Sequence, residues 1–290
     1  MKAPLAIVTM VYNEAEFLPV WLRHYGAAVG EAHCYVVDHG STDGSTAPER
    51  TGEASVIRIP RSPQDDSTRN GFIGDLCAGL LRWYRSVIYV DVDEILVVDP
   101  DVAQSLRAFA DGLPEDAVVT AIGLDVIHAP DEEPSIDWSL PIGRQRRWLR
   151  FSSAMCKPVI IRRRVAWAPG FHCIDAAPWF APLFLFHLRY ADLPSGLRRL
   201  QRTRTQPWIT PQAGAHQRMP DGEWETMLRR MAGLPRVETV PLKADDSVVG
   251  PWLGRVIDST AGREREKYRI DLHINGDQLW EVPERLRDLF

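Results

Sequence analysis

The sequence predicts an α/β fold in which a mostly parallel sheet is flanked by helices. In the first 98 residues, runs rich in β-branched side chains alternate with segments of helical periodicity. Their order is strand–helix–strand–strand–helix–strand, and strands joined by such right-handed crossovers pair in parallel. A chain of 290 residues, 45% hydrophobic and 25% charged, is long enough to bury a large core around this sheet.

The first strand and helix follow one another at the N-terminus. Residues 5–11 show no polar alternation, which predicts a strand buried on both faces. Apolar residues then recur at helical spacing, so a helix is expected from about residue 14 to residue 28. Asn13 and Glu16 have the spacing of a capping box at its start.

Two more strands are expected at residues 34–37 and 56–60. The run Asp38-His39-Gly40-Ser41-Thr42-Asp43-Gly44-Ser45 between them consists of turn formers. It is either a turn capped by its own polar side chains or part of a nucleotide pocket that Asp38 faces. After a polar segment, an amphipathic helix is expected at about residues 72–84.

Three acids follow the central strand, which is expected at residues 86–90. Carboxylates at positions i and i+2 of an extended chain point to the same side, as Asp91 and Asp93 would. Both can then bind one Mg²⁺ or Mn²⁺ ion, because these cations prefer oxygen ligands. The site would lie outside the carboxyl ends of the strands, where open α/β sheets bind ligands. The alternative is a solvated acidic turn.

The second half predicts further strands at residues 118–124 and 157–162. Residues 144–164 carry eight cations interleaved with aromatic residues. This segment binds an anionic acceptor, closes over a donor as a lid, or forms a solvated face. A basic helix expected after residue 193 lies either on an anionic membrane or, because its apolar face is narrow, against the rest of the protein.

Composition narrows the function classes and the location. The net charge of −5 argues against nucleic acid as a partner, and no apolar run reaches the 18 residues of a membrane span. Because the sequence shows no secretory signal, the expected location is cytoplasmic. If the basic helix lies on a membrane, the protein would contact the inner membrane face peripherally. The four cysteines form no C-x-x-C pair and are expected as buried thiols, although Cys156, His172 and Cys173 offer an alternative zinc site.

Three motifs stand in order along the chain: Thr9-Met10-Val11-Tyr12-Asn13-Glu14, then Val37-Asp38-His39-Gly40-Ser41-Thr42-Asp43-Gly44-Ser45, then Val90-Asp91-Val92-Asp93-Glu94. The ordered set resembles the family 2 glycosyltransferases, in the branch whose Asp-x-Asp metal motif is followed by Glu and an apolar residue. The resemblance covers about residues 5–100. A weaker similarity, at Leu185-Phe186-His187-Leu188-Arg189-Tyr190, is to the strand whose histidine closes the metal site in related enzymes.

The resemblance implies a GT-A (Rossmann-like) fold, with residues 1–192 as the catalytic domain and residues 193–290 as a mainly helical extension packed on it. It also implies inverting, Mn²⁺- or Mg²⁺-dependent transfer of a sugar from a nucleotide-diphosphate donor to a glycan or lipid-linked acceptor. A UDP-sugar is the preferred donor, with a GDP-sugar as the second choice. The oligomeric state is left open.

The same resemblance implies residue roles. Asp93 binds the metal directly, Asp91 contacts the metal or the ribose, and His187 is a third metal ligand, for which a core histidine is the alternative. Asp38 contacts the base. The donor site would also include the residues of the first strand-to-helix turn, namely Thr9, Tyr12, Asn13 and Glu14. His39 stands where many members of the family have a second acid, which leaves the identity of the base open.

Two further roles concern the chemistry of transfer. Arg69 is a candidate to neutralise the diphosphate leaving group, and a solvated loop arginine is the alternative. An inverting transferase needs a base for the acceptor hydroxyl, and Asp175 and His172 are the candidates. For each of these two residues the alternative is a structural role in a loop.

Three other functions fit parts of the sequence. A sugar nucleotidyltransferase would need a glycine-rich phosphate loop with a basic residue after the first strand, and residues 9–16 contain neither. A haloacid-dehalogenase-type phosphatase also places Asp-x-Asp at a strand end, but its partner lysine is hard to find among four lysines. A non-catalytic sugar- or nucleotide-binding scaffold would explain His39 and the missing Glu-Asp pair of the wider family.

Overall fold

The computed structural model describes residues 2–290 except 211, 213, 244 and 261–268. The described residues form one mixed sheet of eleven strands and seven α-helices. The strands are β1 Ala3–Val11, β2 Cys34–Asp38, β3 Ser55–Arg58, β4 Tyr84–Tyr89, β5 Glu94–Val98, β6 Val118–Ile127, β7 Trp148–Phe151, β8 Pro158–Ile161, β9 Phe180–His187, β10 Arg236–Val237 and β11 Leu279–Glu281. The helices are α1 Phe17–Val29, α2 Pro48–Thr51, α3 Asp66–Leu80, α4 Leu106–Asp111, α5 Leu193–Thr205, α6 Asp221–Ala232 and α7 Gly250–Asp258.

The N-terminal half is a parallel α/β unit, as the sequence predicts. Its strands lie in the order β3-β2-β1-β4, and β1 pairs in parallel with both β2 and β4. Apolar side chains of α1 and α3 pack into different clusters with the side chains of β1. The chain leaves β1 toward β2 on one side and reaches β4 on the other. An open α/β sheet binds its ligands at the carboxyl ends of strands beside such a switch in strand order.

The second half makes the sheet mixed. Strand β8 pairs antiparallel with β4 and with β6, and β6 pairs antiparallel with β7. Strands β5 and β9 pair antiparallel with each other, and β9 runs parallel to β6. The prediction of a mostly parallel sheet therefore holds for the first four strands and not for the whole sheet. Antiparallel neighbours need only short connections, whereas parallel pairing needs a long crossover.

Two helix starts differ from the sequence prediction. Helix α3 begins at Asp66 rather than near residue 72, because the Asp65 carboxylate accepts hydrogen bonds from the backbone N–H groups of Ser67 and Thr68. The polar segment is thus the first part of the helix.

Helix α1 begins at Phe17, and the predicted capping box does not form. Asn13 has a φ of 55°, and its side chain accepts a hydrogen bond from the backbone N–H of Thr42. Glu16 pairs instead with Arg198. The segment between β1 and α1 is therefore fastened to the turn after β2, which holds two of the three sequence motifs together.

The basic segment of residues 144–164 is not one patch. It forms β7 and β8, and its cations reach separate partners. Arg147 pairs with Glu238 and Glu281, whereas Lys157 is buried against acids that follow β4. In the described structure the cations of this segment form no continuous basic face, which the predicted lid or acceptor surface would need.

Residues 193–290 contribute both helices and strands. Leu200 of α5 and Leu228 of α6 pack in one cluster with Trp148, which confirms the packing interpretation of the basic helix. Strands β10 and β11 join the sheet beside β7. The division at residue 192 stays a prediction. No helix in the described part of the chain is long and apolar enough to cross a membrane.

Candidate nucleotide and metal site

The acids after β4 lie in a tight turn. The backbone N–H of Glu94 donates to the carbonyl oxygen of Asp91 at 3.0 Å, and the N–H of Asp91 donates to Glu94 Oε2 at 2.9 Å. The expectation of an extended Asp-x-Asp segment is therefore wrong, because the chain turns here to start β5. As a result Asp91 and Asp93 contact different partners.

Asp91 is held by three donors. Arg69 and the Tyr89 hydroxyl donate to Oδ1, the latter at 2.9 Å, and Lys157 Nζ donates to Oδ2 at 2.9 Å. Lys157 also donates to Glu94. Burial alone would raise the pKa of Asp91, but the charges of Arg69 and Lys157 outweigh it and hold the pKa well below its usual range. Arg69 is thus a partly buried ion-pair partner rather than a solvated loop residue.

Asp93 contacts a histidine and an arginine. His187 Nε2 lies 3.3 Å from Asp93 Oδ2, and Arg199 of α5 donates to the same oxygen. His187 Nδ1 lies 2.7 Å from Asp125 Oδ1, and Asp125 is paired with His187 in the β6–β9 register. Burial alone would lower the pKa of His187, but the two carboxylates raise it to about 9. Burial also opposes ionisation of Asp93, yet Arg199 and His187 hold its pKa well below its usual range.

Glu14, at the end of the first motif, completes the arrangement. Arg202 lies 2.7 Å and Arg199 3.3 Å from Glu14 Oε1. The other oxygen, Oε2, is buried without a hydrogen-bond partner among the described residues. Burial raises the pKa of Glu14 despite the two arginines.

We call these connected groups the charged cluster. It consists of the carboxyl groups of Glu14, Asp91, Asp93, Glu94 and Asp125 and the cationic groups of Arg69, Lys157, His187, Arg199 and Arg202. With His187 protonated, five negative groups face five positive groups. The cluster therefore neutralises itself.

Asp93 and, once its Nε2 has lost its proton, His187 are the residues that fit a divalent cation. Their facing atoms are 3.3 Å apart, close enough to share one ion. No group of three His, Cys, Asp or Glu residues positioned for a metal occurs in the described ranges. Two protein ligands are nevertheless typical where substrate phosphates and water complete the coordination shell. Asp91 does not join them, because its contacts are with Arg69, Tyr89 and Lys157 and not with His187.

The second motif folds as a turn braced by Asp38. Its Oδ1 accepts from the backbone N–H of Ser41 at 2.7 Å, and its Oδ2 accepts from the Thr46 hydroxyl at 2.9 Å. The capped-turn interpretation is therefore confirmed for this carboxylate. Contact between Asp38 and a base stays a prediction.

Tyr12 and His39 lie beside this turn and share one neighbour. The guanidinium of Arg61 stacks 3.8 Å from the centroid of the Tyr12 ring and lies 2.9 Å from His39 Nδ1. Thr9, in contrast, is fully buried in β1, and its hydroxyl has no partner in the part of the chain that is described. An aromatic face with neighbouring donors suits a nucleotide base.

His172 is near enough to Lys157, Asp91 and His187 for their charges to influence its pKa. Its Nδ1 donates to the carbonyl oxygen of Ala154 at 2.7 Å, and burial with the charge of Lys157 lowers its pKa to about 4. The ring is therefore neutral at pH 7, and Nε2 is the nitrogen that can accept a proton. His172 also lines an open cavity of about 580 Å³, together with residues that include Ser259, Arg269 and Asp271.

The other candidate base, Asp175, is placed differently. Its carboxylate is exposed and lies 3.4 Å from Arg163 Nη1. It does not line the cavity with His172. All four cysteines are buried, as predicted, and the described residues contain no His/Cys group that could hold zinc.

Sequence reasoning missed the contacts that Lys157, Arg199 and Asp125 make with Asp91, Asp93 and His187 respectively. Asp125 carried a usable signal, since it is a charged residue inside the apolar run of β6 and so requires a buried partner. Lys157 and Arg199 stood out only as members of basic segments. Their partners precede them by 66 and 106 residues, so no local pattern connects them.

Neither a protein-family model nor a curated protein matches this chain. Among the solved structures that this chain resembles are the following two, and both likenesses are weak. A mannosyltransferase from Pyrobaculum calidifontis, in complex with GDP-Man and Mn²⁺, is 17% identical with a TM-score of 0.27, over 44% of this chain and 36% of that protein. A protein from Bacillus anthracis described as a glucose-1-phosphate thymidylyltransferase, in complex with a sucrose, is 9% identical with a TM-score of 0.29, over 78% of this chain and 83% of that protein.

The present chain thus spans about a third of the mannosyltransferase's length. Both structural neighbours are nucleotide-sugar-related transferases by name, and both similarities are too weak to assign an activity. The resemblance to family 2 glycosyltransferases stays an expectation.

Proposed function

We propose that this protein transfers a sugar from a nucleotide-diphosphate donor to a hydroxyl of a glycan or lipid-linked acceptor, with inversion and with a divalent cation. The observation that carries the proposal is the position of the charged cluster. Asp93 contacts His187, and Arg199 connects Asp93 to Glu14, beside the carboxyl ends of β1 and β4, where the strand order of the parallel unit switches.

The difficult step in such a transfer is departure of the diphosphate. The bond between the sugar C1 and the diphosphate oxygen breaks, and negative charge develops on the leaving group. A divalent cation held by Asp93 and His187 would neutralise part of that charge as a Lewis acid. Arg199 pairs with Asp93 and Arg69 pairs with the nearby Asp91, so both are candidates to donate to phosphate oxygens.

The nucleoside end of the donor is assigned to the first two motifs. Tyr12 offers its ring, one face of which the guanidinium of Arg61 covers, and Arg61 supplies N–H groups next to it. Both ring nitrogens of His39 already contact Arg61 and Ser62, so His39 helps to hold this arrangement in place. The Asp38 carboxylate keeps the turn in shape through its bonds to Ser41 and Thr46. A UDP-sugar is the first choice as donor, in keeping with the expectation from sequence.

The acceptor is assigned to the cavity beside His172. Its volume of about 580 Å³ is in the range of small-molecule sites, and its lining offers hydroxyl, guanidinium and carboxylate groups to sugar hydroxyls. His172 Nε2 takes the proton of the attacking hydroxyl, whose oxygen forms the new bond to C1. The hydrogen bond to Ala154 fixes the tautomer that this step requires.

A thermal-shift panel tests donor binding. UDP, GDP, CMP and dTDP are each added with Mn²⁺ and, in parallel, with EDTA. We expect one nucleoside diphosphate to raise the unfolding midpoint with Mn²⁺ only, because a ligand at 100 times its Kd stabilises the folded state by about 2.7 kcal/mol. If no nucleotide shifts the midpoint under either condition, the transferase proposal is wrong, and a non-catalytic scaffold becomes the better interpretation.

The base assignment predicts a kinetic difference between two variants. His172→Asn should keep a donor to Ala154 but lose the proton acceptor, which lowers kcat by about 10²–10⁴-fold without changing donor affinity. Asp175→Asn should retain the wild-type rate. Both rates are measured by nucleotide release with a competent acceptor. A loss confined to Asp175→Asn would move the base to that residue.

One observation supports the phosphatase alternative: Lys157 contacts Asp91, as the partner lysine of such an enzyme would. However, Arg69 and Tyr89 donate to Oδ1 of Asp91 and Lys157 donates to Oδ2, and hydrogen bonds from these donors weaken a carboxylate as a nucleophile toward phosphorus. Hydrolysis of p-nitrophenyl phosphate with Mg²⁺ separates the two functions. We expect no turnover above the uncatalysed rate.

A further inference from the structure

Arg199 lies where a divalent cation would be bound. Its guanidinium donates to Asp93 Oδ2, the oxygen that His187 Nε2 faces at 3.3 Å, and it also reaches Glu14 Oε1 at 3.3 Å. The side chain crosses the Phe17 ring at 5.0 Å from its centroid. An ion shared by Asp93 and His187 would therefore lie next to a fixed positive charge, and like charges at such distances repel strongly away from bulk water.

A donor diphosphate would offer Arg199 another partner. A nucleotide-diphosphate sugar carries two negative charges, one on each phosphate, and it would bind beside the cation. Arg199 can then exchange the Asp93 carboxylate for phosphate oxygens, which are also strong acceptors for a guanidinium group.

Arg199 can change partners more easily than Lys157, which also contacts two acids of the cluster. Lys157 bridges two acids and is almost fully buried, whereas the Arg199 side chain is 22% exposed and projects from a helix. When Asp93 binds an ion, Arg199 keeps Glu14, whose Oε2 has no partner among the described residues and can take a second hydrogen bond. Its remaining N–H groups then face the phosphates.

We propose that Arg199 is the resident counter-cation of Asp93, that it competes with the divalent cation when no donor is bound, and that it transfers to the donor diphosphate when the cation and the donor bind together. Only the last part of this inference, the transfer of Arg199 to the donor diphosphate, rests on the proposed function. It makes Arg199 a positioning residue for the cation and a ligand for the diphosphate.

The test measures Mn²⁺ binding by the full chain without nucleotide, by electron paramagnetic resonance of free Mn²⁺. Arg199→Gln should bind Mn²⁺ about ten- to a hundredfold more tightly than the wild type, because a positive charge beside the ion is removed. Arg199→Lys, which keeps the charge, should stay close to the wild type. Arg198→Gln is the matched control, since Arg198 lies next along α5 but pairs with the more exposed Glu16.

The same titration with the nucleoside diphosphate from the panel completes the test. In the wild type the nucleotide should raise the Mn²⁺ affinity, and in Arg199→Gln it should raise it less. Unfolding midpoints confirm that each variant is folded. Equal Mn²⁺ affinity of Arg199→Gln and the wild type, or no Mn²⁺ binding by either, would overturn the inference. Tighter Mn²⁺ binding without any nucleotide effect would support the counter-cation role and count against the proposed function.

Discussion

Replacement of Asp93 by asparagine is expected to abolish metal-dependent nucleotide binding and to lower turnover by about 10²–10³-fold. The amide keeps the size of the side chain but loses the charge that would hold a cation with His187. Arg199 retains Glu14 as a partner, so the variant should stay folded. Thermal shifts with Mn²⁺ and nucleotide measure binding, and nucleotide release measures turnover.

Asp99→Asn is the matched control for this variant. Asp99 is as buried as Asp93 but pairs with Arg285, outside the charged cluster. We expect it to lower the unfolding midpoint while leaving the metal-dependent shift intact. An Asp93→Asn protein that kept the wild-type shift would remove Asp93 from the site.

Arg146→Ala is expected to lower the free energy of unfolding by about 3–5 kcal/mol, the usual cost of breaking a buried ion pair. The Arg146 side chain has no exposed surface, and it donates to the carbonyl oxygens of Ala191 and Gln145 and to Asp192 Oδ1. Asp192 also caps α5 by accepting from the N–H of Ser195 at 3.0 Å. Losing Arg146 leaves this carboxylate buried without its cation and loosens the start of the helix that carries Arg199.

The neighbouring Arg147→Ala provides the comparison. Arg147 pairs with Glu238 and Glu281, but its side chain is 48% exposed, so its loss should cost less than about 1 kcal/mol. Urea denaturation at a common slope measures both variants. Similar losses in the two proteins would show that burial of Arg146 is not what makes it important.

The predictability of this fold depended on where the contacts lie in the chain. The alternation from β1 to β4 was visible because each element shows its own period and packs on neighbours close in sequence. Strands β5, β7 and β9 were harder to predict from the sequence. Strand β5 follows directly on a run of acids, β7 lies within a basic segment, and β9 is marked only by a weak motif. The start of α1 was misplaced because Asn13 binds the backbone N–H of Thr42 instead of capping the helix. The start of α3 was misplaced because the Asp65 cap lies within a polar segment that has no helical periodicity of apolar residues.

The candidate site shows the same division. The acids and His187 were selected from sequence, because polar residues at the ends of apolar strands are informative. Their partners were not, because ion pairs depend on how distant segments meet. Asp91 and Asp93, for example, were expected to share one ion. In the structure, Asp91 contacts Arg69 and Lys157. Asp93 contacts His187 and Arg199 instead.

The wide spacing of the charged cluster along the chain also has a consequence for the order of folding. Asp91 precedes Lys157 by 66 residues, and Asp93 precedes Arg199 by 106 residues. At a synthesis rate of about 5–20 residues per second, Arg199 is synthesised roughly 5–20 seconds after Asp93. During that interval the Asp93 carboxylate must stay hydrated. The parallel unit can therefore form its core while the nascent chain is still growing, and this edge of the sheet closes last, when α5 arrives.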